Sequence, residues 1–155
     1  QHLVDHPHKG QSFRRSRAAG LSIIPTETGA AKAIGKVIPE MKGKLDGNAL
    51  RVPIPTTSII SFIAELEKET DRDAVNAEFE RAVKEDFPGN VDVSKIGLVS
   101  VDYVGSPYAS TIDTLSTLVT DGTQVFVQAW YDNEWGYVEQ MVKLIEEMGK
   151  KIHSA

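Results

Sequence analysis

The 155-residue chain is 41% hydrophobic and 25% charged, has no cysteine and carries a formal net charge of −5. Those proportions suit one globular domain able to bury roughly two thirds of its unfolded surface. The lack of cysteine excludes disulfides, thiolate metal sites and a cysteine nucleophile within this chain, and the negative charge argues against non-specific binding to nucleic acid. No apolar run approaches the roughly 18 residues of a membrane span and no signal-peptide pattern opens the chain. The first residue is Gln1 rather than Met, as in a fragment or a processed product.

Residues 1–20 hold Pro7, Gly10, Gly20, three histidines and a basic cluster of Lys9, Arg14, Arg15 and Arg17, without a sustained period. They read as a loop. His2, His6 and His8 would meet at a metal only on a helix, which Pro7 and Gly10 oppose, so they read as surface histidines and no metal site is expected. On charge alone the arginines belong to a solvated loop or to ion pairs between subunits.

Leu21–Pro25 reads as a short strand ended by its proline. Ala30, Ala33, Ile34, Val37 and Ile38 then recur at helical spacing, with Thr28 placed as N-cap and Pro39 as terminator. A helix opening on Thr28-Gly29 offers a hydroxyl and free N–H groups to an anion, although most such caps bind nothing. A turn at 43–47 leads into a strand over 48–54, in which Pro53 and Pro55 each remove a ladder donor. Arg51 in that strand needs a partner, either a carboxylate or a bound anion.

Thr57–Glu67 alternates with period two. Ile60, Phe62, Ala64 and Leu66 are expected to face the core, with Ser61, Glu65 and Glu67 opposite them and Ile59 and Ile63 hinting at a partner on the polar face. Thr70 with Asp73 suggests a capped helix start, and Val75, Phe79, Ala82 and Val83 its buried stripe, up to a stop at Phe87–Asn90. Strand-like runs are expected within 91–104, a turn at Gly105-Ser106-Pro107, and a loop over 114–122.

Thr123–Tyr131 is rich in β-branched and aromatic residues, as a strand would be. Beyond it Val138, Met141, Val142, Ile145, Met148 and Ile152 recur at helical spacing, and Glu139/Lys143, Glu146/Lys150 and Glu147/Lys151 form i,i+4 pairs for a wet face. Asp132 and Asn133 therefore stand where a strand ends and a helix begins. Both are good N-caps, and the joint presents an amide and unpaired N–H groups beyond the sheet. A capped helix flanked by aromatic plugs is the simpler reading of the same residues.

Four segments, in this order, resemble the phosphorylating glyceraldehyde-3-phosphate dehydrogenases: Arg14–Ala19, Thr28–Lys32, Arg51–Pro53 and Trp130–Tyr137 (WYDNEWGY). A fifth segment, Tyr108–Asp113, resembles the family's His-Ser-Ser-x-x-Asp stretch but has Tyr108 where the histidine is usual, and upstream Val93-Ser94-Lys95 stands where Tyr-Thr-Glu is common. The resemblance implies the family's α+β catalytic domain over 1–155, a mixed and mainly antiparallel sheet with helices packed on one face. It adds a cofactor-side and interface loop at 1–20 and a C-terminal helix at 134–152, and it lacks the dinucleotide-binding domain.

By the same resemblance Thr28 and Gly29 contribute to the site for inorganic phosphate and Arg51 holds the substrate's terminal phosphate. Asn133 bonds the nicotinamide carboxamide, Tyr137 lies alongside, and Arg14, Arg15 and Arg17 belong to the interface and cofactor-side loop. Complete enzymes of the family are cytoplasmic homotetramers of glycolysis. They oxidise glyceraldehyde 3-phosphate with NAD or NADP and capture the acyl group with phosphate to give 1,3-bisphosphoglycerate. Their cysteine nucleophile, histidine base and cofactor domain have no counterpart here, so this chain alone is expected to be inactive, with no catalytic residue of its own, and to bind no cofactor unaided. A phosphate-binding module without catalysis, or a self-association module, are the alternatives.

Overall fold

The computed structural model describes residues 3–6 and 13–153. Among the residues singled out above, His2, Pro7, His8, Lys9 and Gly10 lie outside them. The backbone divides into two compact units, Gln1–Pro55 and Thr56–Ala155.

The first unit is built on a two-stranded antiparallel ribbon of β1 (Ile24–Glu27) and β2 (Asn48–Arg51), joined through α1 (Ala30–Val37) and a 3-10 turn at Pro39–Met41. Pro25 lies inside β1, opposite Leu50, rather than ending a strand that starts at Leu21. A two-stranded ribbon has a free edge on each strand, and there a missing N–H costs no ladder bond. Leu21 instead closes a 3-10 turn, Ala19–Leu21. β2 stops at Arg51, two residues before Pro53. The C-terminal end of the α1 stripe is open, with Val37 78% and Ile38 50% exposed, whereas Ile34 is half-buried. Asp5 ties the start of the unit to its first turns: one carboxylate oxygen accepts from the Ala18 N–H at 2.8 Å and from Arg17 Nε at 3.1 Å.

The second unit is a four-stranded sheet in the order β3 (Ser58–Glu65), β6 (Gln124–Tyr131), β5 (Ser110–Thr120), β4 (Val91–Ser94), with α2 (Arg72–Glu85) and α3 (Trp135–His153). The β3–β6 and β6–β5 pairs are antiparallel and β4–β5 is parallel, so the chain is α+β with a mixed, mainly antiparallel sheet. Val125, Val127 and Ala129 of β6 alternate into the core, and Ile112 joins them from β5.

Several expectations change here. The stretch 114–122 is not a loop: β5 continues to Thr120, and the chain turns only at Asp121 and Gly122, both at positive φ. Between Asp113/Gln128 and Leu118/Phe126 the ladder slips, leaving Thr114–Thr117 opposite Val127 alone. Helix α2 supplies the partners this bulge lacks. Arg72 donates to the Thr114 and Leu115 carbonyls, and Asn76 donates to the Thr114 carbonyl while accepting from the fully buried Thr117 hydroxyl at 2.7 Å. The cap of α2 is Asp71 rather than Thr70: its carboxylate accepts from the Ala74 N–H at 2.8 Å. Its apolar stripe, Val75, Phe79, Ala82 and Val83, is half-buried.

Of the strand-like runs in 91–104 only β4 forms. Ser100–Tyr103 is a 3-10 turn that buries Tyr103 and leaves Val101 and Val104 exposed. β3 is an edge strand with both faces open, Ile60 48% and Phe62 39% exposed on the expected core side and Ile63 64% on the other. The stripe of α3 is exposed as well, and Lys143 donates to the Gly89 carbonyl at 2.6 Å rather than pairing with Glu139. Lys150 forms an ion pair with Glu147, three residues back, at 2.6 Å.

Candidate functional site

The joint between β6 and α3 is held by one carboxylate. Asp132, 3% exposed, accepts from the Glu134 and Trp135 N–H groups through Oδ1, at 2.8 and 2.9 Å, and from the Gly105 N–H through Oδ2 at 2.8 Å. It caps α3 as the residue pattern suggested and also pins the 105–108 turn against the helix start. Burial alone would raise its pKa, but the three N–H donors outweigh that and hold the carboxyl below its ordinary range.

Beneath the cap, Trp130 at the end of β6 stacks on Tyr103, with ring centroids 5.4 Å apart, and its indole N–H points to Asp113 at 3.4 Å. Burial pushes the Tyr103 phenol up. Gly136 follows in the first turn of α3, where a Cβ would stand 2.7 Å from the Tyr108 carbonyl oxygen and 3.2 Å from that of Ser106. The glycine therefore lets the 106–108 backbone lie directly on the helix.

With its neighbour doing the capping, Asn133 is free to turn outward. Its Oδ1 accepts from the Ser58 hydroxyl at 3.2 Å, and its side chain is exposed. Asn133 and the 65%-exposed Tyr137 border the same cavity, of about 220 Å³, with Ala109, Tyr131, Asp132, Gly136 and Gln140. Complete small-molecule sites occupy ~300–1,000 Å³, so this volume suits one ring better than a dinucleotide.

In the first unit, Thr28 Oγ1 accepts from the Ala30 N–H at 3.2 Å, and Gly29 rather than Thr28 occupies the N-cap position of α1. Among the described residues no heavy atom lies within 4 Å of a Cβ built on Gly29, so their packing does not demand a glycine there. Arg51 ends β2 opposite Ile24, whereas Thr28 lies one residue beyond Glu27, which faces Asn48. The two are thus at opposite ends of the ribbon, about 13 Å apart along it at the usual strand rise. Among the described residues the Arg51 guanidinium has no ion pair, so the carboxylate partner that its sequence position invited is not found. Arg14 and Arg15 lie exposed on the 3-10 turn Phe13–Ser16, and Arg17 is paired with Asp5 at 3.1 Å.

Two contributors escaped the sequence reading. Ser58 reaches Asn133 only because β3 pairs with β6, across 75 residues of chain. Gly136 reads in sequence as one more helical residue, and only its position in the Trp-Gly-Tyr turn hints at a close approach.

The profile of the family described as glyceraldehyde 3-phosphate dehydrogenase, C-terminal domain, matches residues 1–133. The chain belongs to that family. It is 50% identical over 151 residues to a glyceraldehyde-3-phosphate dehydrogenase of Geobacillus stearothermophilus and 48% identical over 151 residues to glyceraldehyde-3-phosphate dehydrogenase 1 of Bacillus subtilis strain 168. Each alignment covers 97% of this chain and 44% of the relative. Glyceraldehyde-3-phosphate dehydrogenase 2 of Streptomyces avermitilis is 43% identical over 152 residues, 98% of this chain and 45% of its own. The chain thus spans less than half the length of these curated relatives.

Proposed function

We propose that this chain is the substrate-side catalytic domain of a glycolytic oxidoreductase that converts glyceraldehyde 3-phosphate, inorganic phosphate and NAD or NADP to 1,3-bisphosphoglycerate. It works there as one domain, residues 1–155, beside a dinucleotide-binding domain. The observation that carries this reading is the β6–α3 joint, where Asn133 and Tyr137 border a ring-sized cavity in a chain of this family. Asn133 holds the nicotinamide carboxamide and Tyr137 lies along the ring. The nicotinamide, when bound, supplies the acceptor for the substrate's hydride.

Arg51 holds the triose's terminal phosphate, which answers its lack of an ion pair among the described residues. Thr28 and the open backbone at Gly29 receive inorganic phosphate. Arg14, Arg15 and Arg17 serve the subunit interface and the cofactor-side loop. The 155 residues contain no cysteine to add to the aldehyde, so the chain alone is inactive and binds no dinucleotide unaided. The assembled protein is cytoplasmic and homotetrameric; among the described residues no helix is long and apolar enough to cross a membrane.

The test is a chimera in which this chain replaces the corresponding portion of the Geobacillus stearothermophilus enzyme. Arg51→Ala should raise the KM for the triose phosphate roughly 10- to 100-fold, as loss of a charge-assisted bond does, and Asn133→Ala should raise the KM for NAD. Unchanged constants in both variants would remove the reading.

A second reading, self-association without catalysis, draws on β3, whose two faces expose Ile59, Ile60, Phe62 and Ile63. Sedimentation of the isolated chain decides it: a monomer at all concentrations excludes it.

A further inference from the structure

We propose that Ser58 is a positioning residue for Asn133, one that fixes which end of the Asn133 amide meets a ligand. This rests on the reading of Asn133 as a contact to the nicotinamide carboxamide. A primary amide in an open joint can present either its oxygen or its NH₂ group, and the two recognise opposite partners. Here the Ser58 hydroxyl donates to Oδ1 at 3.2 Å. The oxygen is thereby engaged within the protein, and the NH₂ group is left as the donor that this cavity-lining residue can offer.

The surrounding backbone holds both partners in place. Ser58 is the first residue of β3 and is paired with Tyr131, two residues before Asn133. Asp132, between them, is pinned by three N–H bonds. Just before Ser58, Thr57 is buried at φ 71°, a conformation that β-branched residues rarely accept, and its hydroxyl has no partner among the described residues. Strain of this kind persists where the surroundings over-determine it, and here it sets the direction in which the chain enters β3 and carries Ser58 to Asn133.

The consequence is a specificity rule: the ligand atom read by Asn133 is an acceptor, the carbonyl oxygen of the carboxamide, and the ligand's own NH₂ group is not required. Calorimetric Kd values of the chimera without triose phosphate, beside its kinetics, test this with NAD and with its 3-acetylpyridine analogue, which keeps the carbonyl and lacks the amide hydrogens. The analogue should bind with a Kd and a KM within a few-fold of those for NAD. Ser58→Ala should raise the KM for NAD roughly 3- to 10-fold, the range of one neutral hydrogen bond, with kcat and the KM for triose phosphate little changed. Ser58→Thr, which keeps the hydroxyl on a residue suited to a strand, should restore the parental value.

If Asn133→Ala raises the KM for NAD while Ser58→Ala leaves it unchanged, the positioning role is wrong and the cofactor reading stands. If Asn133→Ala has no effect, the cofactor reading fails and the proposal with it. A Ser58→Ala loss spread over both substrates and not repaired by threonine marks a merely structural residue, and a more than ten-fold penalty for the analogue shows that the ligand's NH₂ is read instead. Either result overturns the proposal.

Discussion

Trp130 lies nearly flat on Tyr103, their planes 10° from parallel and their centroids 5.4 Å apart. The stack joins the last residues of β6 to the 3-10 segment at Ser100–Tyr103, and Tyr103 is only 5% exposed. Tyr103→Ala should therefore destabilise the second unit by about 3 kcal/mol, as aromatic truncations in cores do. Urea unfolding followed by tryptophan fluorescence measures it. A loss under about 0.5 kcal/mol, the size of an ordinary surface change, would show that the ring does not hold this corner.

Asp132 gives a pH-dependent prediction. Its carboxyl is held below the ordinary range in the folded chain, so the charged form binds its three N–H donors more tightly than water does. That contribution is complete above the unfolded value of about 3.9 and is lost as pH falls through the lower folded value. Asp132→Ala should cost about 1–3 kcal/mol at pH 7, and its deficit relative to the parent should shrink as pH is lowered below about 4. Denaturant titrations at several pH values check both statements; a constant deficit would mean that the carboxylate charge is not what matters.

Two glycines of α3 should respond in opposite directions. Gly136→Ala puts a methyl 2.7 Å from the Tyr108 carbonyl oxygen, against backbone that cannot swing away, and should cost about 1–3 kcal/mol. Among the described residues nothing lies within 4 Å of a Cβ added at Gly149, so Gly149→Ala should gain up to about 1 kcal/mol from helix propensity. Thermal melts of the pair decide it, and equal effects would contradict the close packing assigned to Gly136.

Asn76 braces the β5 bulge, accepting from the Thr117 hydroxyl and donating to the Thr114 carbonyl. Asn76→Ala leaves a fully buried hydroxyl without its acceptor and should cost about 1–3 kcal/mol. Asn76→Ala combined with Thr117→Val should recover part of that loss, because both ends of the bond are then apolar. Urea unfolding of the single and double variants measures it, and a double variant no more stable than the single would show that the bond does not couple the two elements.

What was legible in the chain follows from what each element depends on. β6 and α3 are set by local pattern, and Asp132 caps the helix as its place between them suggested. The missed half of β5, by contrast, carries a bulge whose stray carbonyls are satisfied by α2, forty residues away, and no local pattern announces a remote donor. The 96–104 run has strand-type residues, yet Tyr103 finds its burial by stacking on Trp130, which the 3-10 turn permits. β3 shows a true period of two, but alternation says which residues share a face and not whether anything covers it; as an edge strand it keeps both faces open. Asp71 displaced Thr70 as cap because adjacent good caps compete, and a shift of one residue lies within what pattern resolves. At the joint, Asn133 was visible by its motif, whereas Ser58 entered only through sheet pairing.

The central claim is that this chain completes a phosphate-dependent dehydrogenase without being one alone. Its most direct test is the rate of NAD reduction by the chimera with glyceraldehyde 3-phosphate and inorganic phosphate, beside the 155-residue chain assayed alone. The account predicts phosphate-dependent turnover in the chimera and none from the isolated chain. A folded chimera that reduces no NAD, or an isolated chain that does, would contradict it.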